Sequence, residues 1–331
     1  MHNPKNGMNN LRLEIAGEIL KRIPNSGKPI EYLMDILGHS RDAIYRRLKG
    51  NIAFTFEEII ILAHKLNFSL DEILKKQHTN SAIFNFKNNR YQDPEESFTE
   101  MFSSFVEQVK EANKSPYNQK YIVINRLLST LVFRKKNLLK FRYYKWLHQY
   151  KDIPFNISIS DIEIPQKLIE LREEVMNYFK DENIIYIIDR KTFFNSVCEI
   201  KYFIERGLIN ENEIELIKKD LYSILDTIQE FFLRSYSRDN SKYEVYLSLI
   251  NIQNNSVYTV CNDLPYVYLW INSDYPIYTT DSQFCTLHKN WTESLIKHSV
   301  LISRSNQKMQ EEFYNQALME INELNNYSKL N

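Results

Sequence analysis

Apolar residues recur every fourth position near the start of the chain, at Leu11, Ile15, Ile19 and Ile23, the stripe of an amphipathic helix, which Pro24, Asn25, Ser26 and Gly27 then break. Pro29 suits the first turn of a second helix, whose Leu33 and Leu37 face inward and which Gly38 is placed to stop. Ser40 can cap a third helix with Asp42 at its positive end; Ile44 and Leu48 form its buried edge and Gly50 closes it. A fourth helix starts at Thr55, with Glu58 three residues on as in a capping box, and carries Ile59, Leu62, Ala63 and Leu66. A short fifth helix is expected from Ser69.

Helix, tight turn, helix is a pattern with its own chemistry. The stretch Gly27–Leu74 resembles the helix-turn-helix domain of the Cro and lambda-repressor type, the XRE family, over roughly residues 10–75. Leu33-Met34, Leu37-Gly38, Ser40-Arg41, Gly50, Leu62-Ala63, Leu66 and the ending Ser69-Leu70-Asp71-Glu72 carry the likeness. The chain departs from the family at Arg47-Leu48, where an apolar residue and Glu are usual, and at Ile30, where a polar residue is usual. The resemblance implies that the third helix enters the DNA major groove by its N-terminal end. Ser40, Arg41, Asp42 and Tyr45 are then the candidates for base edges, an Arg being able to pair bidentately with guanine. Lys28, Arg46, Arg47, Lys49 and Asn51 are the candidates for phosphates. A helical protein-interaction module, including a peptide-sensing one in which DNA contact is secondary, stays open beside that reading.

Beyond residue 75 the chain is polar and poorly periodic to about residue 98, with a possible short strand at Ile83–Phe86. Helical patterns follow at about 95–113, 118–150, 164–180, 190–206 and 211–235. The last carries Ile214, Ile217, Leu221, Ile224, Ile228 and Phe231 as a seam that fits either an internal core or a dimer contact, with Ile217 and Ile224 at its centre. From Tyr243 the period becomes two, predicting a hairpin around Asn254-Asn255 and further strands at Tyr266–Ile271 and Ile277–Thr280. Helices near 283–298 and 306–325 flank a strand at Val300–Ser303. The expected fold class is mainly α: a five-helix N-terminal domain (1–78), a linker (79–97), a helical domain (98–240) and a small α+β unit (241–331) packed with it.

Charge changes this picture in one place. The 331 residues carry no net charge, yet residues 112–151 hold ten bases and no acid while residues 152–331 carry −10. The basic segment interleaves its charges with aromatic residues. It fits either a second anion or DNA-backbone contact through Arg134, Lys135, Lys136 and Lys140, or a surface that meets the acids downstream.

Catalytic chemistry finds little support. Six glycines, five of them in the first fifty residues, exclude phosphate loops, dinucleotide turns and nucleophile elbows beyond that point. His288 and His298 are ten apart, not three or four, and Cys285 with Asp274 and Asp281 lacks a neighbouring base. Three widely spaced cysteines suggest neither disulfides nor zinc. No apolar run reaches the roughly 18 residues of a membrane span, and the N-terminus lacks a secretory core. The expectation is therefore a cytoplasmic DNA-binding transcription regulator and homodimer, with no cofactor, metal or membrane, whose C-terminal part dimerises or senses a small-molecule or peptide effector.

Overall fold

The chain divides into two units, Met1–Ile83 and Phe84–Asn331. The computed structural model describes residues 4–23, 28–66, 68, 81–86, 93–113, 119–151, 153–178, 183–233, 243–261, 264–271 and 276–327.

In the first unit four helices are described: α1 (Pro4–Arg22), α2 (Pro29–Leu37), α3 (Arg41–Leu48) and α4 (Phe56–Leu66). Their apolar faces converge on one core. Ile19, Leu33, Ile44 and Leu62 are fully buried there, with Ala16, Ile23, Phe54, Leu66 and Phe68 around them and Leu11, Ile15 and Leu48 at its margin. Ile30, the departure from the family pattern, packs against the same core. The fifth helix expected from Ser69 lies outside the described residues.

The second unit corrects the expected fold class. Eight strands form one mixed sheet in the order β1-β7-β6-β5-β2-β3-β4-β8. In chain order its elements are β1 (Asn85–Phe86), α5 (Pro94–Asn113), β2 (Gln119–Ile124), α6 (Ser129–Val132), α7 (Lys136–Tyr150), α8 (Gln166–Met176) and β3 (Asn183–Asp189). There follow α9 (Thr192–Ile204), α10 (Glu211–Leu233), β4 (Tyr243–Ser248), β5 (Ser256–Cys261), β6 (Leu264–Trp270), β7 (Pro276–Thr279), α11 (Ser282–Lys297), β8 (Ser299–Leu301), α12 (Gln307–Asn322) and α13 (Leu324–Tyr327).

Strands β2, β3 and β4 run parallel, with Ile124 opposite Ile188 and Asp189 opposite Ser248. The segments read as a separate helical domain are the crossovers between these strands, as parallel pairing requires. The helix expected over 118–150 is a strand, one short helical turn and a 15-residue helix. Residues 183–189, between the helices expected at 164–180 and 190–206, are a central strand.

Helices cover both faces of this sheet. Ile122, Ile124, Tyr186, Ile188, Val245 and Leu247 point into a large core shared with α5, α7–α10 and α12. Tyr121, Val123, Ile185 and Ile187 point the other way, into a second core shared with Cys285 and Leu295 of α11. Helix α10 lies inside the large core: Ile214, Ile217, Leu221, Ile224 and Ile228 are all at most 2% exposed, and Phe231 packs at the margin. The seam is thus an internal one, and the dimer contact through Ile217 and Ile224 is excluded because those side chains are already covered within one chain.

Candidate nucleic-acid interface

The turn between α2 and α3 is fixed by two residues with opposite demands. Gly38 takes the left-handed backbone, φ 68° and ψ 21°, and its N–H donates to the Met34 carbonyl at 2.8 Å, closing α2. Ser40 is extended and its hydroxyl accepts the Ala43 N–H at 3.4 Å, opening α3. Gly50 ends the turn after α3 with φ 74°, and a β-carbon there would sit 3.1 Å from Leu13 Cδ2. Only glycine meets both conditions without strain.

The fully buried Ile44 anchors α3, so its opposite side faces solvent. Ser40, Arg41, Asp42, Tyr45, Arg46 and Lys49 are all exposed, Tyr45 to 49%, and Lys49 Nζ sits 5.8 Å from the Tyr45 ring centre. Lys28 and Asn51 flank this face and are exposed too. Lys28 Nζ pairs with Glu31 at 3.2 Å, and Asn51 donates its N–H to the Arg46 carbonyl at 2.9 Å.

Arg47 is placed differently from the other candidates. Its side chain is only 12% exposed, and Nε and Nη2 each donate at 2.9 Å to the two oxygens of Glu58, a bidentate pair. Glu58 also accepts the Thr55 N–H at 2.9 Å and a hydrogen bond from His39 Nε2, while its own N–H donates to the Thr55 hydroxyl at 3.2 Å. The capping box is therefore complete, and its carboxylate ties α4 to α3 and to the turn. Burial pushes the Glu58 carboxyl up, but the hydrogen bonds from Arg47, Thr55 and His39 outweigh it and hold it below its ordinary value. Arg47, a candidate for phosphate, is turned inward onto a buried acid of its own, and this accounts for the departure at Arg47-Leu48. The Thr55-x-x-Glu58 spacing was the visible signal; the long-range partners Arg47 and His39 had none.

Four bases of the segment 112–151 meet acids of their own unit. Glu199 on α9 receives Arg126 at 2.9 Å, Lys145 at 3.1 Å and Arg142 at 3.9 Å, and Lys151 pairs with Glu95. Among the four residues considered for a second anion contact, Lys135 donates to the Ser223 hydroxyl at 2.6 Å, and burial pulls its ammonium pKa down. Arg134 and Lys140 are half-buried and Lys136 alone is exposed, so the four do not form one open basic surface.

The C-terminal candidates do not converge. Asp281 caps α11 by accepting the Phe284 N–H at 2.7 Å, Cys285 is 1% exposed with its sulfur near the Thr279 and Pro265 carbonyls, and Asp274 lies outside the described residues. His288 is buried, which pushes its pKa down to about 4, and His298 follows the end of α11. Among the described residues, no three His, Cys, Asp or Glu side chains come together as a metal site would need. None of the described helices is long and apolar enough to cross a membrane.

Comparison with known proteins finds no match: no family model, no curated protein and no solved structure is similar to this chain.

Proposed function

We propose that this protein is a sequence-specific DNA-binding transcription regulator that reads duplex DNA with α3 and works as a homodimer. The observation that carries the reading is the exposed front of α3: Ser40, Arg41, Asp42 and Tyr45 stand together on a helix whose other side is locked by the buried Ile44 and by the Arg47–Glu58 pair. A helix held this way is pre-organised, so little ordering cost opposes its entry into a groove. The likeness to the Cro and lambda-repressor type supports the same reading. Arg41, Asp42 and Tyr45 face base edges, and Lys28, Arg46, Lys49 and Asn51 face phosphates. Two copies are required because one such helix reads a single half-site and paired half-sites lie about one helical turn apart. The α/β unit supplies the dimer contact and the sensing part.

The test separates base contact from phosphate contact in the full-length protein. Arg41→Ala should weaken binding to the preferred duplex by about 1–3 kcal/mol and relax preference at one base pair. Arg46→Ala should weaken preferred and random duplex alike and lower the salt slope by about one. Equal losses for Arg41→Ala on both duplexes would remove Arg41 from the base-reading set, and no binding by the native protein would overturn the proposal.

A further inference from the structure

A homodimer needs a face that one chain leaves uncovered, and the buried seam of α10 cannot supply it. Helix α11 carries two seams, one residue out of step. Cys285, His288, Thr292 and Leu295, spaced three, four and three apart, are buried, and Cys285 and Leu295 hold the helix to the sheet. Phe284, Leu287, Trp291 and Ser294 repeat the same spacing one position earlier and turn outward. Leu287 is 65% exposed and Trp291 45%, whereas Phe284 is half-buried, its ring centre 5.0 Å from that of Phe84.

Single exposed apolar residues are ordinary, but an aligned pair that includes tryptophan is not. Among the described residues of this unit, Leu287 and Trp291 are the only two exposed large apolar side chains that stand one turn apart on one helix. The rest of their face is uncharged: Gln283, Asn290 and Ser294 are exposed beside them. The charged residues between Phe284 and Ser294 are Lys289 and Glu293, which pair with each other at 3.7 Å. Lying two positions after Leu287 and Trp291, they point to the other side of the helix. Interface centres are depleted of charge and enriched in tryptophan in the same way. The indole is also held in place, its ring 5.2 Å from that of the buried His288, so little ordering cost opposes contact.

The seam fits a second copy of itself. About a two-fold axis across the middle of α11 the two helices run antiparallel, and every contact is made twice. An axis midway between Leu287 and Trp291 sets Leu287 against the partner's Trp291 and Phe284 against the partner's Ser294. Large then meets small at both ends, and no charge meets its like. A parallel pair would set Trp291 on Trp291 and Phe284 on Phe284 while leaving Ser294 opposite Ser294, so the antiparallel register is the one that fills the seam evenly.

We infer that Phe284, Leu287, Trp291 and Ser294 of α11 form the two-fold dimer contact of this protein, the partner being a second copy of the chain. The inference rests on the homodimer reading and names the surface that the α/β unit uses for it.

Sedimentation equilibrium of the full-length protein over about 1–100 µM tests it, and the native chain should be dimeric by the upper end of that range. Leu287→Glu sets a charge against the partner's Trp291 twice and should weaken the dimer about 30-fold or more, with the native circular dichroism unchanged. Ser294→Trp, at an exposed position, sets ring against ring at both ends and should weaken it about tenfold or more; it decides the matter if Leu287→Glu fails to fold. Base preference within a single half-site belongs to α3 and should survive either change. A dimer of native affinity in a folded variant would overturn this contact and leave the homodimer standing. Native protein still monomeric at about 100 µM would overturn both.

Discussion

Replacing Glu58 by Ala should unlock the helix-turn-helix from within. The carboxylate is 11% exposed and receives Arg47 twice at 2.9 Å, the Thr55 N–H at 2.9 Å and His39. Breaking a buried pair from one side costs about 3–5 kcal/mol when burial is complete. Arg47 keeps a 12% exposed side chain and a bond from Nη1 to the Ala43 carbonyl at 3.3 Å, so the expected loss is about 2–4 kcal/mol. Tryptophan fluorescence is blind to this unit because Trp146, Trp270 and Trp291 all lie beyond residue 83. Hydrogen exchange at the Ile44 and Leu62 amides is the suitable assay, and protection should fall roughly 30- to 900-fold. Arg47→Met combined with Glu58→Ala should cost less than Glu58→Ala alone, since no buried guanidinium is then left behind. Because the folded carboxyl titrates below its ordinary value, its contribution is complete above the ordinary carboxylate range and is lost as pH falls through the lowered value. A loss under about 1 kcal/mol, or a double variant worse than the single one, would refute the reasoning.

Other consequences follow from single contacts. Gly38→Ala meets no atom within 4 Å and should cost about 1 kcal/mol from its positive φ alone, whereas Gly50→Ala also presses on Leu13 and should cost about 1–2 kcal/mol; exchange protection that ranks them the other way would contradict this. Glu199→Gln removes the charge that three bases share and should cost the α/β unit about 2 kcal/mol, read by tryptophan fluorescence in urea; a loss near zero would show the cluster to be solvated. His288 stays neutral when folded, with its pKa down at about 4. Stability of the α/β unit should therefore be intact above pH ~6.5 and fall by up to about 3 kcal/mol as pH drops toward 4, and His288→Gln should flatten that slope.

The two units differ in how much of them can be read from sequence. The first was readable because its boundaries are punctuated by Gly38, Ser40 and Gly50 and its core follows a four-residue repeat. The second misled because β2 and β3 are covered on both faces. Tyr121–Ile124 and Ile185–Ile188 are buried throughout and show no alternation, so a strand there looks like a piece of buried helix. Strand β4, where half-buried positions alternate with buried ones from Tyr243 to Tyr246, carries the period-two signal. For the basic segment, the deciding partner Glu199 is 73 residues from Arg126 and 54 from Lys145, a pairing that only the sheet and its crossovers bring about. The inward turn of Arg47 is hidden in the sequence for a similar reason: its acid lies 11 residues away, across a turn.

Selection of bound sites from random duplex DNA by the full-length protein tests the central proposal most directly. An enriched inverted repeat, with half-sites about one helical turn apart and lost on Arg41→Ala, is the result expected of a dimer that reads sequence with α3. A pool that remains random after successive rounds, at salt low enough for non-specific binding to be seen, would contradict it.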